Sequence, residues 1–297
     1  MDLVDGLRAF VATAQTGSFT EAAERLGISN RLTSKYVAEL ESRIGARLLQ
    51  RTTRKVGLTP TGQNLLARVP ALLDELDDML DTVTEESKGL SGILRISAPV
   101  TLGEIYIQGL VGSFAALHPD LVIDLRLNDA YVDLASNGID LAFRVGTPEG
   151  FSLKTRKLGV MTSSVVASPD YLKKNNVPST PQDLSEHVCI MDTNRRDARW
   201  LFLDEGKEII GVPLRRFMVN SALVARDWAI AGCGITLCPD FVLTEAIAEG
   251  RLVPLLEKYG KPTHPFNIIY LEGNVLPRKV RALIDFSVEY IQQSNLF

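Results

Sequence analysis

The pattern of apolar and polar positions predicts two short, consecutive helices near the start of the chain. Ser18 followed by Glu21 is the signature of a capping box, in which the Ser hydroxyl accepts a backbone N–H and the Glu carboxylate reaches back. Gly27 suits the end of this helix, because glycine adopts left-handed conformations easily, and Ser29 suits the cap of the next. Between Ser18 and Gly27, one face of the first helix carries small and apolar side chains, Ala22, Ala23 and Leu26. A second helix can therefore approach closely.

The second helix is predicted to bury one face and to expose a polar one near its N-terminus. The residues of the buried face recur at helical spacing and are Thr33, Val37, Leu40 and Ile44. The opposite face carries Asn30, Arg31, Ser34 and Lys35. In the DNA major groove, Arg pairs with guanine edges and Asn with adenine edges, so this face suits base reading. The alternative is an ordinary polar helix surface, which carries the same residue types.

A basic segment follows, and it predicts the wing of a winged helix-turn-helix. Residues 25–55, which include the second helix and the segment after it, contain eight Lys or Arg side chains against two Glu, whereas the net charge of the whole chain is −4. Phosphate attraction is screened over roughly 8–10 Å, so the local excess outweighs the acidic total. The residues predicted to contact DNA are Ser18, Thr20, Asn30, Arg31, Ser34, Lys35, Arg51, Thr52, Thr53 and Arg54.

Residues 59–88 predict a long helix that connects this part to the rest of the chain. Thr59 suits a helix cap and Pro60 the first helical position. Apolar residues then recur at spacings near four and three, as in paired helices, and are Leu65, Val69, Leu72, Leu76, Met79 (or Leu80) and Val83. A helix over 61–86 would be about 39 Å long, with a kink near Pro70. We expect a dimerisation arm, and the alternative is a helix that packs on its own domain.

From residue 93 the pattern changes to short apolar strands alternating with helices. Such alternation is typical of α/β layers with mostly parallel strands. The predicted strands are 94–97, 122–127, 141–145, 164–167, 188–191, 216–219, 235–237 and 267–271. The predicted longer helices are 103–117, 222–232, 240–248 and 277–293.

Composition and motif content argue against several classes of protein. With 297 residues, 45% of them hydrophobic and 23% charged, the chain has the balance of a globular protein of two or three domains. No apolar run approaches ~18 residues and no signal-peptide pattern opens the chain, so we expect a cytoplasmic protein without a membrane partner. Cys189, Cys233 and Cys238 form no CxxC, and we expect inert thiols, with a redox pair as the alternative. The three His residues are scattered and catalytic motifs are lacking, so we expect no enzyme, cofactor or metal site.

The chain resembles the LysR-type transcriptional regulators along essentially its whole length. The N-terminal segments that carry the resemblance are Leu7–Phe10, Gly17–Phe19, Ala22–Leu26, Ser34–Lys35, Leu40–Glu41, Gly45, Leu48–Leu49, Arg51–Arg54 and Leu58–Gly62. The downstream segments are Leu94–Pro99, Val165–Leu172, Ala231–Asp240 and Leu276–Phe286. The chain departs from the family at Arg31 and Thr33, where members often carry a small and an apolar residue, and at Pro70, which interrupts the helix after the wing.

The resemblance implies an α/β protein with an all-α, winged N-terminal part. Its parts would be a winged helix-turn-helix DNA-binding domain (1–60), a long linker helix (61–88) and an effector domain (89–297) resembling type 2 periplasmic binding proteins. The effector domain would have subdomain I at about 92–161 and 269–297, and subdomain II at about 162–268. The resemblance also implies sequence-specific binding to double-stranded promoter DNA, a small-molecule effector, a homotetramer or homodimer, and contact with RNA polymerase when the protein activates.

The implied effector site lies between the two subdomains, at strand ends and helix N-termini. The hydroxyls and backbone N–H groups of such junctions suit a carboxylate or another acceptor, so we expect a polar or anionic metabolite. The predicted effector residues are Ser97, Pro99, Val100, Thr101, Asn128, Arg144, Val145, Asn194, Asn220, Ser221 and Phe241, with Tyr131 as a further apolar wall. The alternatives are that the hydroxyls only cap helices and that Arg144 pairs with an acidic neighbour, such as Asp140, for structural reasons.

Two alternative functions remain beside the ligand-responsive regulator. A solute-binding protein that shares only the effector fold would leave the first 60 residues unexplained and would need a signal peptide. An architectural DNA binder with an empty cleft is compatible with the same sequence.

Overall fold

The computed structural model describes residues 2–51, 56–83, 89–130, 133–146, 153–194, 199–272 and 276–294, apart from the side chains of Arg51, Asp78, residues 81–83 and Ser294. Thr52, Thr53, Arg54 and Tyr131 therefore lie outside the described residues.

Three helices and a two-stranded hairpin form the N-terminal domain. They are α1 (Leu3–Thr16), α2 (Phe19–Leu26), α3 (Asn30–Ile44), and the antiparallel strands β1 (Leu49–Arg51) and β2 (Val56–Leu58). As predicted, Ser18 caps α2, Ser29 caps α3, and Gly27 ends α2 in the left-handed region at a φ of 67°. The largest buried side chains of this domain are Phe10, Leu40, Leu48 and Leu66.

The buried face of α3 ends one turn earlier than the sequence predicts. The other three predicted positions are buried, but Ile44 is 44% exposed, so that prediction is wrong. Glu41 takes the last buried position, because its carboxylate accepts the backbone N–H groups of Leu48 and Leu49 at 2.8 and 3.1 Å. The chain turns back after Gly45, and a hydrogen-bonded carboxylate fills the space at this turn.

The linker consists of two helices, α4 (Pro60–Leu66) and α5 (Val69–Val83), and the single helix expected over 61–86 is wrong. The break falls at Ala67–Arg68, immediately before the first turn of α5. Pro70 explains it, since proline has no N–H to donate to the carbonyl four residues earlier and its ring clashes with that carbonyl, so proline is tolerated in the first turn of a helix but not in its interior. Thr59 caps α4 as predicted and accepts the backbone N–H of Gly62 at 3.0 Å.

The apolar residues of α5 divide between two faces. Val69 and Leu73 are buried against the N-terminal core, so Val69 does not belong to the outward seam predicted for it. Leu72 and Met79 lie on another face with 52% and 57% of their surfaces exposed, whereas Leu80 continues the face of Leu73 beyond the N-terminal core and is 59% exposed. The face of Leu72 and Met79 is exposed, whereas the side chain of Val83 lies outside the described part of the chain.

The remaining chain is an α/β domain built on a mixed sheet. Its strands, with one separate hairpin, are β3 (Gly92–Ala98), β4 (Leu121–Leu127), β5 (Leu141–Val145), β6 (Leu153–Ala167), β7 (Val188–Asp192), β8 (Trp200–Asp204), β9 (Lys207–Gly211), β10 (Leu214–Val219), β11 (Ile235–Pro239), β12 (Val253–Leu255) and β13 (Thr263–Leu271). Its α-helices are α6 (Val100–Leu102), α7 (Gln108–Leu117), α8 (Leu134–Asn137), α9 (Pro169–Lys174), α10 (Ala222–Ile230), α11 (Asp240–Ala248) and α12 (Arg278–Ser294). A π-helical turn over Gly103–Ile107 joins α6 to α7.

The sheet has two halves connected by long crossover strands, and its strand order is β10-β7-β11-β6-β13-β5-β3-β4, with β12 beside β6. Pairing is parallel among β3, β4 and β5 and among β7, β10 and β11. The crossover strands β6 and β13 pair antiparallel with their neighbours. The mostly parallel sheet predicted from the sequence is therefore parallel within each half and antiparallel at the crossovers, which enter each half from the other one.

Each half of this domain has its own apolar core. In subdomain I, the strands and α12 enclose Leu94, Ile96, Phe114, Phe143 and Phe266. Subdomain II buries two clusters, one on each face of its strands, which include Trp200 and Ile235 on one side and Ala225 and Leu243 on the other. Because Phe266 already packs in subdomain I, the returning crossover joins that core before residue 269.

One described helical segment, Val100–Leu117, is long and apolar enough to cross a membrane by length and composition alone, with a mean hydropathy of 1.3. Its side chains Leu102, Ile107, Leu110 and Phe114 are buried in the core of subdomain I. Core helices of this kind pass the same test, so the apolar character is accounted for by packing on the sheet.

The antiparallel hairpin β8–β9 was not predicted from the sequence. Trp200 and Phe202 point into the core of subdomain II, whereas Leu201 and Leu203 are 41% and 42% exposed. Since apolar residues stand on both faces of β8, the alternation that marks a half-buried strand is missing.

Candidate DNA interface and effector cleft

The first turn of α3 presents the predicted polar set to solvent. Asn30, Arg31 and Lys35 are exposed and Ser34 is half-buried, while the residues on the other side of the helix pack on α1 and α2. The Asn30 amide donates a hydrogen bond to the Thr20 hydroxyl at 2.8 Å, so two predicted site residues from successive helices are in direct contact. Lys35 lies 3.7 Å from Glu39 one turn later, an exposed pair that leaves its ammonium accessible.

Ser18 has a structural task at the start of α2. Its hydroxyl accepts the backbone N–H of Glu21 at 3.3 Å, and its own carbonyl accepts the Thr16 hydroxyl at 2.9 Å. This is the first of the two hydrogen bonds of the predicted capping box. The second, from the backbone N–H of Ser18 to the Glu21 carboxylate, is not among the described hydrogen bonds. The cap holds α2, and with it Thr20, in place below α3.

The wing begins beside the helix-turn-helix. In the β1–β2 pair, Arg51 stands opposite Val56, and the backbone N–H of Val56 donates to the Gly17 carbonyl at 3.1 Å. The hairpin is thereby fixed to the turn between α1 and α2. Its tip, with the predicted contacts Thr52, Thr53 and Arg54, and the side chain of Arg51 lie outside the described residues.

Glu41 anchors the start of the wing and was not predicted as a functional position. Besides the N–H groups of Leu48 and Leu49, its carboxylate accepts Arg47 Nη1 at 2.9 Å. Burial alone would raise the pKa of Glu41, but these hydrogen bonds outweigh burial and lower the pKa below its ordinary value. The residue is therefore a buried, ionised support that sets where the hairpin leaves α3.

In the cleft, two predicted effector residues, Arg144 and Ser97, are buried and joined by a hydrogen bond. Arg144 is 4% exposed and Ser97 is 1% exposed. Arg144 Nη2 donates to the Ser97 hydroxyl at 2.8 Å, and Nη1 donates to the Phe143 carbonyl at 2.9 Å. Asp140 accepts the backbone N–H of Arg95 at 2.7 Å, and the described ion pairs include none between Asp140 and Arg144.

The strand-to-helix junction after Ser97 already holds a carboxylate. The backbone N–H of Val100, at the start of α6, donates to Asp129 Oδ1 at 3.0 Å. Asn128 is held in the same loop, because its backbone N–H donates to the Ala98 carbonyl at 2.8 Å and its amide oxygen accepts from Ala130. Pro99, Val100 and Thr101 are half-buried around this junction. Asp129, which the sequence analysis missed, therefore takes a position that was assigned to an acceptor group of the ligand.

Subdomain II contributes a polar pair and an aromatic contact. The Asn194 amide donates to the Asn220 carbonyl at 2.8 Å, and both residues are exposed. Ser221 caps α10 and accepts the backbone N–H of Val224 at 3.4 Å. Phe241 meets Tyr106 of subdomain I edge-on with ring centroids 5.4 Å apart. Of the predicted subdomain II residues, Phe241 is thus the one placed in contact with the opposite subdomain by the described ring pairs.

The three cysteines form no disulfide. Burial raises the pKa of the Cys189 thiol to about 12, so this sulfur stays protonated at neutral pH. Cys238 is also buried, with its sulfur 3.6 Å from the Ala222 carbonyl, and Cys233 is half-buried.

Comparisons with known proteins agree with this arrangement. Residues 4–63 match the family described as "Bacterial regulatory helix-turn-helix protein, lysR family", and residues 87–292 match the "LysR substrate binding domain". An HTH-type transcriptional regulator of Haemophilus influenzae is 35% identical over 290 residues, covering 95% of this chain and 99% of the relative. The regulator CrgA of Neisseria meningitidis serogroup C is 32% identical over 286 residues, covering 95% of each chain.

A solved structure shows the same overall architecture. The full-length Vibrio cholerae virulence activator AphB is similar with a TM-score of 0.63 and 30% identity, covering 98% of this chain and 99% of that one.

Proposed function

This chain belongs to the LysR family of DNA-binding transcriptional regulators, and on that premise we propose which of its residues read the operator and which hold the effector. The protein is a regulator and not an enzyme: its helix-turn-helix domain binds promoter DNA, and its second domain binds a small-molecule effector. We divide the chain at 1–60, 61–88 and 89–297.

The base-reading surface of this proposal is the first turn of α3. Arg31 would pair with a guanine edge and Asn30 with an adenine edge, and Ser34 and Lys35 would complete the set from the next turn. The observation that carries this assignment is that these side chains are exposed or half-buried on one face while the opposite face is fixed in the core. A rigidly held helix presents its base-reading groups in one geometry, as sequence discrimination requires.

The phosphate contacts are assigned to the residues that flank this helix. Ser18 and Thr20 lie at the N-terminus of α2, where backbone N–H groups and hydroxyls favour a phosphate oxygen. Arg51, Thr52, Thr53 and Arg54 would follow the backbone from the wing. These contacts position the protein on DNA and carry little sequence information themselves.

Self-association is assigned to the exposed apolar face of α5. Leu72 and Met79 would pack against the same face of a second copy, giving a homodimer with two recognition helices for two half-sites. Two dimers would form the homotetramer. The protein would act in the cytoplasm, where promoter DNA lies, and would contact RNA polymerase when it activates.

The effector is assigned to the cleft between the subdomains, next to the Ser97–Arg144 pair. An anionic group of the ligand would face Arg144 and avoid the start of α6, where the Asp129 carboxylate would repel it. Pro99, Val100, Thr101, Asn128 and Val145 would line the subdomain I side. The subdomain II side would be lined by Asn194, Asn220, Ser221 and Phe241. Closure on the ligand would alter the spacing of the recognition helices and hence the DNA complex.

The experiment that tests this function is fluorescence anisotropy of the purified protein with tiled duplexes from the DNA upstream of its own gene. We expect one duplex with a two-fold symmetric core to bind far more tightly than the others. Uniform, salt-sensitive binding to all duplexes would instead support the architectural DNA binder, and absence of binding at any salt would contradict the helix-turn-helix assignment.

A further inference from the structure

A cavity of about 680 Å³ lies where α1 and α2, the linker helix α5 and the base of subdomain I meet. Of the described residues that line it, none belongs to the candidate effector set. Its volume is within the range of small-molecule sites. Because its walls come from the DNA-binding domain, the linker and the regulatory domain, a ligand there would touch all three.

The walls carry four cations, and the linker neutralises two of them. Arg8 of α1 forms an ion pair with Asp77 of α5, and Lys279 of α12 lies 3.1 Å from Asp74 of the same helix. The linker helix α5 thus forms one ion pair with the DNA-binding domain, through Asp77, and one with the regulatory domain, through Asp74.

The other two cations, Arg25 of α2 and Arg95 of β3, are less well compensated. Arg25 donates to the Gln15 amide oxygen at 2.7 Å and forms no ion pair with any described residue. Arg95 lies 3.5 Å from Asp124, which it shares with Arg126 at 2.7 Å. Two positive charges from different domains therefore face the cavity, and the acids near them are Asp124, which Arg95 shares with Arg126, and Asp140 in the cavity wall.

Further positive charges lie near Arg25. Burial lowers the pKa of Arg25, and the positive charges of Arg95 and Arg126 lower it further, which is the signature of like charges brought together. Asp140 is the remaining acid in the wall, and burial raises its pKa to about 6. This carboxyl is still largely ionised at neutral pH, so the described walls carry four cations against the carboxylates of Asp74, Asp77 and Asp140, and the site retains one net positive charge.

We propose that this cavity binds a small doubly charged oxyanion, carried by a phosphate monoester or a dicarboxylate, between Arg25 and Arg95. Guanidinium groups suit this role, because their planar N–H forks bind phosphate and carboxylate oxygens in pairs. The bound anion joins the helix-turn-helix to subdomain I and favours the arrangement in which α8 contacts α1. In that arrangement a Cβ atom at Gly138 would come within 2.8 Å of Gln15, the residue that holds Arg25.

The test uses thermal unfolding of the full chain with low-millimolar inorganic phosphate or succinate, with sodium chloride at equal ionic strength as the reference. We expect one of the two anions to raise the Tm by roughly 2–4 °C relative to chloride. Arg25→Gln and Arg95→Gln should lose this rise. Arg251→Gln, which removes an exposed cation paired with Glu249 away from the cavity, should retain it.

The outcome distinguishes the sources of the anion. A rise with phosphate alone assigns the phosphate monoester, and a rise with succinate alone assigns the dicarboxylate. The proposal is overturned if neither anion exceeds chloride, or if Arg25→Gln responds as strongly as the unsubstituted chain, which would mean a general anion effect on stability. Neither DNA nor the cleft effector is present in this experiment, so its failure leaves the proposed function untouched.

Discussion

The side-chain amide of Asn30 donates a hydrogen bond to the hydroxyl of Thr20 at 2.8 Å, joining the first turn of the recognition helix to the helix before it. One donor of Asn30 is thereby used within the protein, while its amide oxygen and second N–H remain for a base edge. Thr20 acts as the residue that positions Asn30.

Thr20→Val should weaken binding to the preferred duplex by about 1 kcal/mol, near fivefold in Kd, and weaken binding to a shuffled duplex less, because the lost hydroxyl positions Asn30 in addition to its proposed phosphate contact. Anisotropy titrations would measure this. Thr244→Val removes an exposed hydroxyl from α11 and serves as the control with unchanged affinity. Equal affinities for the two variants would contradict the positioning role of Thr20.

Glu41→Gln should lower the free energy of unfolding of the N-terminal domain by roughly 1–3 kcal/mol at neutral pH, since a charged acceptor of three hydrogen bonds becomes a neutral one. The pKa of Glu41 is lowered in the folded protein. Its contribution is therefore complete above the ordinary Glu pKa and is lost as the pH falls through the lowered folded value.

Urea unfolding at a series of pH values would check this. Glu41→Gln should flatten the acid side of the stability profile, while Glu39→Gln, at an exposed position, should leave it nearly as it is. An unaltered acid slope in Glu41→Gln would show that this carboxylate does not titrate as described.

The elements that sequence predicts well here are the ones fixed by local chemistry. Ser18, Ser29 and Thr59 cap helices within three residues of themselves, and Gly27 ends a helix through its own φ, so no distant contact is needed. The burial and the supporting role of Glu41 could not be predicted from local sequence in this way. Its burial depends on where the chain returns after Gly45, and a charged residue at that spacing otherwise indicates a solvated face.

Leu72→Glu combined with Met79→Glu should shift the protein from dimer or tetramer to monomer. The introduced carboxylates would be buried between two copies of this face of α5 and would repel each other there. Light scattering coupled to size-exclusion chromatography would measure the molar mass. Val177→Glu, at a position with similar exposure in subdomain II, is the matched control and should keep the assembly. Unchanged mass in the α5 variant would place the interface elsewhere.

Thr101→Phe should abolish the effector response, because a bulky ring at the half-buried junction after Pro99 would occupy the cleft. A panel of small carboxylic acids can be screened for a compound that raises the Tm of the unsubstituted protein. That compound should no longer stabilise the variant, whose DNA binding without effector should persist. An undiminished response would exclude this placement of the ligand.

The cleft shows what pattern alone cannot supply. The strand ends that carry Ser97 and Arg144 were predicted correctly, since short apolar runs mark them. The partners were not, because Asp140 precedes β5 and turns toward the backbone of Arg95, while Arg144 reaches Ser97 on the neighbouring strand. The hydrogen bond from Val100 to Asp129 and the ring contact of Tyr106 with Phe241 are likewise tertiary contacts that leave no local signal.

The central claim is that the first turn of α3 reads bases while the wing holds phosphates. Its most direct test compares Arg31→Ala with Arg54→Ala in anisotropy titrations on the preferred duplex and on a shuffled one, over a range of salt. Arg31→Ala should cost about 1–3 kcal/mol on the preferred duplex only. Arg54→Ala should weaken both duplexes alike and reduce the salt slope by about one. An equal loss on both duplexes for Arg31→Ala would contradict the claim and remove Arg31 from the base-reading set.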